Sequence, residues 1–138
     1  MIDLTTDFGK HVAERLRTEH VIWLTTVSAE GAPQPNPVWF LWDGETFLFY
    51  SQPTALKLRN IARNPRVALN LNATADGGDV AVFSGEAHLD PATPLADQMP
   101  AYLEKYRKGI GDIGQTPESF AKDYSVAYRV RPTRMHGF

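Results

Sequence analysis

The residues best placed to do chemistry lie in Tyr50-Ser51-Gln52-Pro53-Thr54-Ala55-Leu56-Lys57, and the chemistry they suggest is anion binding. Phe47 to Tyr50 is aromatic and extended in character. Pro53 disfavours a helical conformation at Gln52, so a helix must start after it, with Thr54 as its expected N-cap. Three residues on, where a capping box would carry Glu or Gln, stands Lys57. A cation in the first turn opposes the helix dipole, at about 0.3–1 kcal/mol when exposed. That cost disappears if free N–H groups, the hydroxyls of Ser51 and Thr54, and the Lys57 amine converge on a phosphate. The bland alternative is a lysine that extends into water.

Other routes to chemistry are closed or thin. The 4 histidines are scattered, with no His-x-His or His-x-x-x-His pair, so no zinc site is expected. There is no Gly-x-Ser-x-Gly elbow, no Walker loop and no Gly-x-Gly-x-x-Gly. Without cysteine there is no disulfide, thiolate nucleophile or thiolate metal site. The aromatics alternate as core residues do and no basic stripe accompanies them, which argues against a nucleic-acid stacking platform. An enzyme with this sequence would need a bound cofactor to carry the hard chemistry.

The elements that must position the anion site read as follows. A helix spans about 7 to 19, capped by Asp7, with Phe8, Val12 and Leu16 in one stripe. Val21 to Val27 is a strand with both faces apolar, as when helices or a second subunit cover it. In Pro33-Gln34-Pro35-Asn36-Pro37 three alternate prolines fix an extended backbone and remove N–H donors. A central strand could not tolerate them, so this is an edge, a bulge or a strand entrance. It is also a rigid ledge for a flat ligand, leading into Val38-Trp39-Phe40-Leu41-Trp42. Asp43-Gly44 is a two-residue hairpin signal, and Glu45 to Tyr50 returns.

The helix from about 55 to 63 buries Ala55, Leu58, Ile61 and Ala62. Lys57 lies at the margin of that arc, level with Asn60 and Asn64, while Arg59 and Arg63 project elsewhere. Strands follow over 66–72 and 80–89, the second with a bulge at Gly85. Thr93-Pro94 starts a helix carrying Leu95, Met99, Leu103 and Tyr106, interrupted at Pro100. Lys108 to Gly114 breaks that helix and is expected to be mobile. Thr116-Pro117 opens a short helix to Asp123, and Ser125 to Val130 is the last strand, which the tail can extend.

Residues 1–138 fit a single domain. Six strands with hairpin connections predict a mainly β fold, a six-stranded antiparallel barrel with peripheral helices. The net charge of −2 gives no case for nucleic acid. No apolar run is long enough for a membrane span, and the N-terminus lacks signal-peptide features. The cytoplasm is the expected location.

Taken together, these segments resemble the pyridoxamine-phosphate-oxidase-like split β-barrel superfamily over nearly the whole chain. Within it they are most similar to the flavin/deazaflavin oxidoreductases that use coenzyme F420. The matching pieces are the leading helix, Val21 to Val27 with its Ser-x-x-Gly turn, Pro37-Val38-Trp39-Phe40 and Tyr50-Ser51-Gln52-x-x-x-x-Lys57. To these are added Asn64-Pro65-Arg66-Val67-Ala68-Leu69, Phe83-Ser84-Gly85-Glu86-Ala87, and Arg131-Pro132-Thr133-Arg134-Met135-x-Gly137-Phe138. Their order and spacing are more specific for the superfamily than for the cofactor.

The resemblance implies an FMN-binding-like split barrel and a homodimer with cofactor sites at the subunit interface. The cofactor phosphate would sit near Ser51, Gln52 and Lys57, with Asn60 nearby. The ring would lie along Asn36, Pro37, Val38 and Trp39. Two departures bear on the cofactor. FMN-using oxidases of the superfamily commonly have Ser at the position of Ala55 and often a basic residue where Leu56 stands. Their absence removes two partners of an FMN phosphate. The expected activity is hydride transfer from reduced F420 to a small electron-poor substrate such as an enone, quinone or tetrapyrrole. The proton would come from solvent or a tyrosine such as Tyr128. The alternatives are an FMN-dependent oxidoreductase on the same barrel, or a non-catalytic binder of a flavin, haem or other flat ligand.

Overall fold

A computed structural model describes all of residues 1–138. It is built on one antiparallel seven-stranded sheet with the order β2-β1-β5-β6-β7-β4-β3. The strands are β1 (Val21–Val27), β2 (Pro33–Trp39), β3 (Leu41–Trp42), β4 (Phe47–Ser51), β5 (Arg66–Asn70), β6 (Ala81–Leu89) and β7 (Val126–Gly137). The helices are α1 (Asp7–Thr18), α2 (Leu56–Arg63), α3 (Pro100–Asp112) and α4 (Pro117–Asp123), with a 3-10 turn at Ala96–Gln98.

The two outermost strands, β2 and β3, are one stretch of chain interrupted at Phe40. A single segment therefore supplies both edges of the curled sheet, which is how it approaches a barrel. This break also accounts for seven strands where six were expected: 38–42 reads as one strand in sequence and is divided by one residue in space. The Phe40 peptide leaves the ladder and is held by α3 instead. Its N–H donates to the Tyr106 hydroxyl at 2.8 Å, and its carbonyl accepts from Lys105 Nζ at 3.0 Å. Backbone groups that lose a strand partner inside a protein need such replacements.

The proline run lies on an edge, as its chemistry requires. Pro33, Pro35 and Pro37 face Val27, Thr25 and Trp23 of β1, and nothing pairs on the outer side of β2. Gly85 marks the expected bulge, where the β6–β7 register shifts. A Cβ there would stand 2.4 Å from the Arg131 carbonyl oxygen. The tail does extend the last strand, to Gly137.

Several local expectations are corrected. Thr6, not Asp7, caps α1, its hydroxyl accepting from Gly9 N–H at 2.9 Å. Asp43 does not sit in a two-residue turn. Trp42 pairs with Phe47, and the Asp43 carboxylate accepts from the N–H groups of Glu45 and Thr46 within a four-residue loop. Thr93-Pro94 starts no helix, because the Thr93 hydroxyl donates to Asp90. Pro100 opens α3 instead of interrupting a helix; it carries no N–H to lose at that position. The buried stripe of α3 is Tyr102, Tyr106 and Ile110, and the helix runs on through Gly109 and Gly111 to Asp112.

Two apolar clusters result. One fills the barrel interior, with Phe40, Phe47, Phe49, Phe83 and Tyr128 among aliphatic residues of α1, β1 and β5. The other packs α3 and α4 on the outside of β4 around Tyr50, Tyr102, Tyr106 and Phe120. No helix is long and apolar enough to cross a membrane.

Candidate functional site

Helix α2 begins one residue later than its sequence suggests. Gln52 to Ala55 forms a turn closed by Ala55 N–H to Gln52 carbonyl, 3.2 Å, and Ala55 is the N-cap with no side-chain cap bond. Thr54 is exposed in that turn, so its hydroxyl does not supply the cap. Pro53 explains the delay: it holds Gln52 extended and spends the next two residues on the turn. Lys57 consequently lies in the uncapped first turn. Burial alone shifts its pKa, downward, and no hydrogen bond or carboxylate counters the shift. From Thr46 to Ala75 the chain holds no acidic residue at all. A half-buried ammonium with no counter-ion, beside free helix N–H groups, is an arrangement that an anion would complete.

Two clefts meet at Lys57. The polar one, about 510 Å³, lies between the outer edge of β2 and α2, with Gln34, Asn36, Lys57 and Asn60 on its walls. Asn60 is 1 % exposed and braces these walls. Its amide donates to Thr26 Oγ1 at 3.0 Å and to Gln34 Oε1 at 2.7 Å, tying α2 to β1 and β2. Its Oδ1 is buried without a partner. Ser51 also turns inward: its hydroxyl donates to the Gln52 carbonyl at 2.9 Å and fixes the turn, while the Gln52 side chain is exposed beside it. The buried arc of α2 is thus Asn60 and Ile61, and Ala62 is exposed.

The second cleft, about 260 Å³, is aromatic. Pro37, Val38 and Trp39 form its floor on the β2 side, Lys57 its polar margin, and α3 and α4 its opposite wall through Tyr102, Phe120 and Tyr124. The two clefts share Lys57, so the structure brings Asn36, Pro37, Val38, Trp39 and Asn60 around that one lysine, whereas Ser51 and Gln52 line neither cleft. The Trp39 indole is clamped, stacked on Tyr106 at 4.7 Å and 10° and on Phe120 at 5.7 Å and 22°. Gly109 gives it room, since a Cβ there would lie 3.2 Å from the indole. Grouping Tyr106 with Leu95, Met99 and Leu103 draws the apolar stripe away from Tyr102, and so the helical wall is not read from the sequence. The readable signal was the aromatic pairs Tyr102/Tyr106 and Phe120/Tyr124, each spaced i, i+4.

Known proteins place this groove in context. Residues 8–137 match the family model described as pyridoxamine 5'-phosphate oxidase. The chain belongs to that family. Members of the pyridoxamine 5'-phosphate oxidase family include oxidoreductases that work with flavin-type cofactors, and this chain carries their split-barrel fold. It is similar to an F420 reductase of known structure, with 27% identity, TM-score 0.68, and 89% of this chain and 94% of the other covered. Two further structures share the fold at lower identity. One is HutZ, the haem storage protein of Vibrio cholerae, at 15%, TM-score 0.66, covering 96% and 95%. The other is a FAD-binding protein of Mesorhizobium loti, at 16%, TM-score 0.59, covering 91% and 88%. No curated protein sequence matches the chain significantly.

In this family member the tyrosines are sorted by what their hydroxyls meet. Tyr50 lies at the groove but donates to the Pro94 carbonyl at 2.6 Å, and burial pushes its pKa up to about 12. Tyr128, the candidate proton donor of the sequence reading, is 0% exposed and stacks on Phe49 at 4.9 Å inside the barrel. It faces no cleft and cannot reach a substrate in the groove. The alternation of β7 put Tyr128 on the face shared with Val130, and that face is the interior.

Proposed function

We propose that this protein is an F420-dependent reductase that delivers a hydride to a small, electron-poor organic acceptor. The observation that carries the reading is Lys57, a half-buried cation without a counter-ion at a helix N-terminus, located where a polar cleft meets an aromatic one. A cofactor with a phosphate at Lys57 and a flat ring along the outer edge of β2 fits the polar cleft, and a small flat acceptor fits the aromatic one. Lys57 and the first N–H groups of α2 would hold the phosphate, with the exposed Gln52 side chain in the turn before them. Asn36 and the backbone of Pro37, Val38 and Trp39 would take the ring edge. Asn60 and Ser51 serve indirectly, keeping α2 and the turn in place through the bonds described above.

F420 is favoured over FMN by two features of the phosphate end. Ala55 offers no hydroxyl and Leu56 no charge, where FMN-using oxidases of the superfamily commonly have Ser and often a basic residue. The similarity to an F420 reductase points the same way. The cofactor, when bound, supplies the hydride. The protein supplies orientation and exclusion of water: the proline ledge is rigid without a ligand, and the clamped Trp39 presents a fixed surface.

A homodimer with cofactor sites at the subunit interface, working in the cytoplasm, belongs to the same reading. It is supported by the outer face of β1, where Val21, Trp23, Thr25 and Val27 are only half-buried in the single chain. An apolar strand face of this kind fits a covering partner better than bulk water.

The test is a titration of the purified protein with F420 and, separately, FMN, by calorimetry and tryptophan fluorescence. Trp39 should report any ring on the ledge. Tight F420 and weak FMN binding is the expected result. The reverse order would move the assignment to an FMN-dependent enzyme, and no binding of either would remove the cofactor reading and leave the fold.

A further inference from the structure

Four tyrosines are buried: Tyr50, Tyr102, Tyr106 and Tyr128. Tyr50 donates to the Pro94 carbonyl, and Tyr106 is bonded to the Phe40 peptide and the His20 carbonyl. Tyr128 has no partner, but it is sealed inside the barrel. Tyr102 differs from all three. It is 1% exposed, its hydroxyl bonds to no protein group, and it lines the aromatic cleft. We propose that the Tyr102 hydroxyl is the hydrogen-bond donor that recognises a carbonyl oxygen on the flat ring of the ligand entering this cleft.

Three observations support the assignment. First, the hydroxyl bonds to no protein group and opens on the cleft, so its acceptor must come from what fills the cleft, water or ligand. Second, the group is held in place. The Tyr102 ring meets Tyr50 edge-on at 4.9 Å and 85°, and Tyr106 at 4.8 Å. Its hydroxyl therefore waits in a fixed position, the condition for selective recognition. Third, burial drives the phenol pKa far above its ordinary value, so at neutral pH the group is a donor and never an anion.

The remaining lining narrows the ligand. Pro37, Val38, Trp39, Phe120 and Tyr124 make the lining apolar and largely aromatic, which favours a flat, apolar body around the one carbonyl that Tyr102 meets. The volume, about 260 Å³, is at the bottom of the range for small-molecule sites, roughly 300–1,000 Å³. It suits a single ring or a fused pair, not a tetrapyrrole. Among electron-poor acceptors this selects quinones and cyclic enones. The inference deepens the function proposed above and rests on it for the role of that ring as hydride acceptor. Recognition by Tyr102 itself needs no cofactor and is tested without one.

The test compares the full-length protein with Tyr102→Phe, titrated calorimetrically with 2-methyl-1,4-naphthoquinone and with 2-methylnaphthalene, which has the same rings and no oxygen. The wild-type protein should prefer the quinone, and Tyr102→Phe should lose about tenfold of that preference, the worth of one neutral hydrogen bond. Hydrocarbon affinity and Tm should be unchanged, because the hydroxyl has no partner in the protein. Tyr128→Phe, whose hydroxyl is sealed in the barrel interior and faces no cleft, should leave the preference intact. A preference that survives Tyr102→Phe overturns the proposal. So does equal or absent binding of the two probes by the wild-type protein, an equal loss in Tyr128→Phe, or a fall in Tm that reveals a structural bond to Tyr102. Failure to bind F420 would remove the proposed cofactor and leave this result standing.

Discussion

The two aromatic clusters lie on opposite sides of the same strand and are built on different rules. Inside the barrel, Phe40, Phe47, Phe49, Phe83 and Tyr128 all have no exposed surface. They contact one another edge-on or stacked, as Phe47 does with Phe83 at 5.2 Å and 69°. On the other side of β4, the aromatic residues are mostly tyrosines, and their hydroxyls do separate jobs. Tyr106 holds the Phe40 peptide, Tyr50 the Pro94 carbonyl, and Tyr102 faces a cleft. Apart from the unpartnered Tyr128 hydroxyl, hydrocarbon fills the first cluster and closes it. In the second, the hydroxyls of Tyr50 and Tyr106 are tied to backbone groups, and the cluster borders a cleft. The difference shows how one strand can serve both purposes: Phe47 and Phe49 point into the barrel, while Leu48 and Tyr50 point toward the site.

The comparison breaks most visibly if it is wrong about the interior. Phe83→Ala should cost about 3–5 kcal/mol of stability, the usual range for a buried aromatic truncated to alanine, measured by urea unfolding. The folded fraction should bind ligands as before, because Phe83 touches no cleft. Trp39→Ala comes next. Trp39 is half-buried, so its stability loss should be smaller, about 2 kcal/mol. Unlike Phe83→Ala, it should also abolish the ring-binding signal. A Trp39→Ala variant of unchanged stability would show that the ledge is independent of the outer cluster.

Lys57→Ala sharpens the distinction from the other end. Cofactor affinity should fall by about 1–3 kcal/mol, as for a lost charge-assisted hydrogen bond. Stability should hold or rise slightly, since burial disfavours the charged amine and nothing in the protein offsets it. Equal affinity in variant and wild type would remove the phosphate assignment.

How much of this was legible in the sequence depended on whether the signal was local. The edge position of β2, the bulge at Gly85 and the start of α4 at Thr116-Pro117 were readable, because proline, glycine and capping residues act on their own backbone. The ledge and Lys57 were legible as separate features. Their junction was not, since it depends on the Asn60 bonds to Thr26 and Gln34 across long stretches of chain. Asn60 read as a neighbour of Lys57 and proved to be a buried brace. The wall of the aromatic cleft was hidden for a different reason. Pro100 looked like a breaker within a helix, and the true first turn begins there. That shift kept Tyr106 but replaced Leu95, Met99 and Leu103 on the buried face with Tyr102 and Ile110. The glycines after Lys108 looked like a loop, yet Gly109 sits in the helix where the Trp39 indole leaves no space for a side chain. The split at Phe40 could not be read from a continuous apolar run, because its cause is the grip of α3 on one peptide.

That grip permits a last, shallower test, on the seam between the clusters. Lys105 Nζ lies 3.0 Å from the Phe40 carbonyl and 3.8 Å from the Phe40 ring centroid. Burial lowers its pKa to about 8, with Glu19 pulling weakly the other way. The unfolded chain keeps a lysine near its ordinary value of about 10.4. Between those values the unfolded state holds a proton that the folded state has shed, so stability should rise with pH from about 8 towards 10. Above that the trend should reverse, because Tyr50, raised to about 12, stays protonated in the fold while unfolded phenols ionise. Lys57 adds to the rise in the same direction, so the comparison must be with a variant. In Lys105→Met the apolar stem remains, and the Phe40 carbonyl keeps the Tyr106 hydroxyl at 2.8 Å. Urea midpoints across this window should climb less steeply in Lys105→Met than in the wild type. Parallel slopes would mean that the ammonium is solvated and that Tyr106 alone holds the seam.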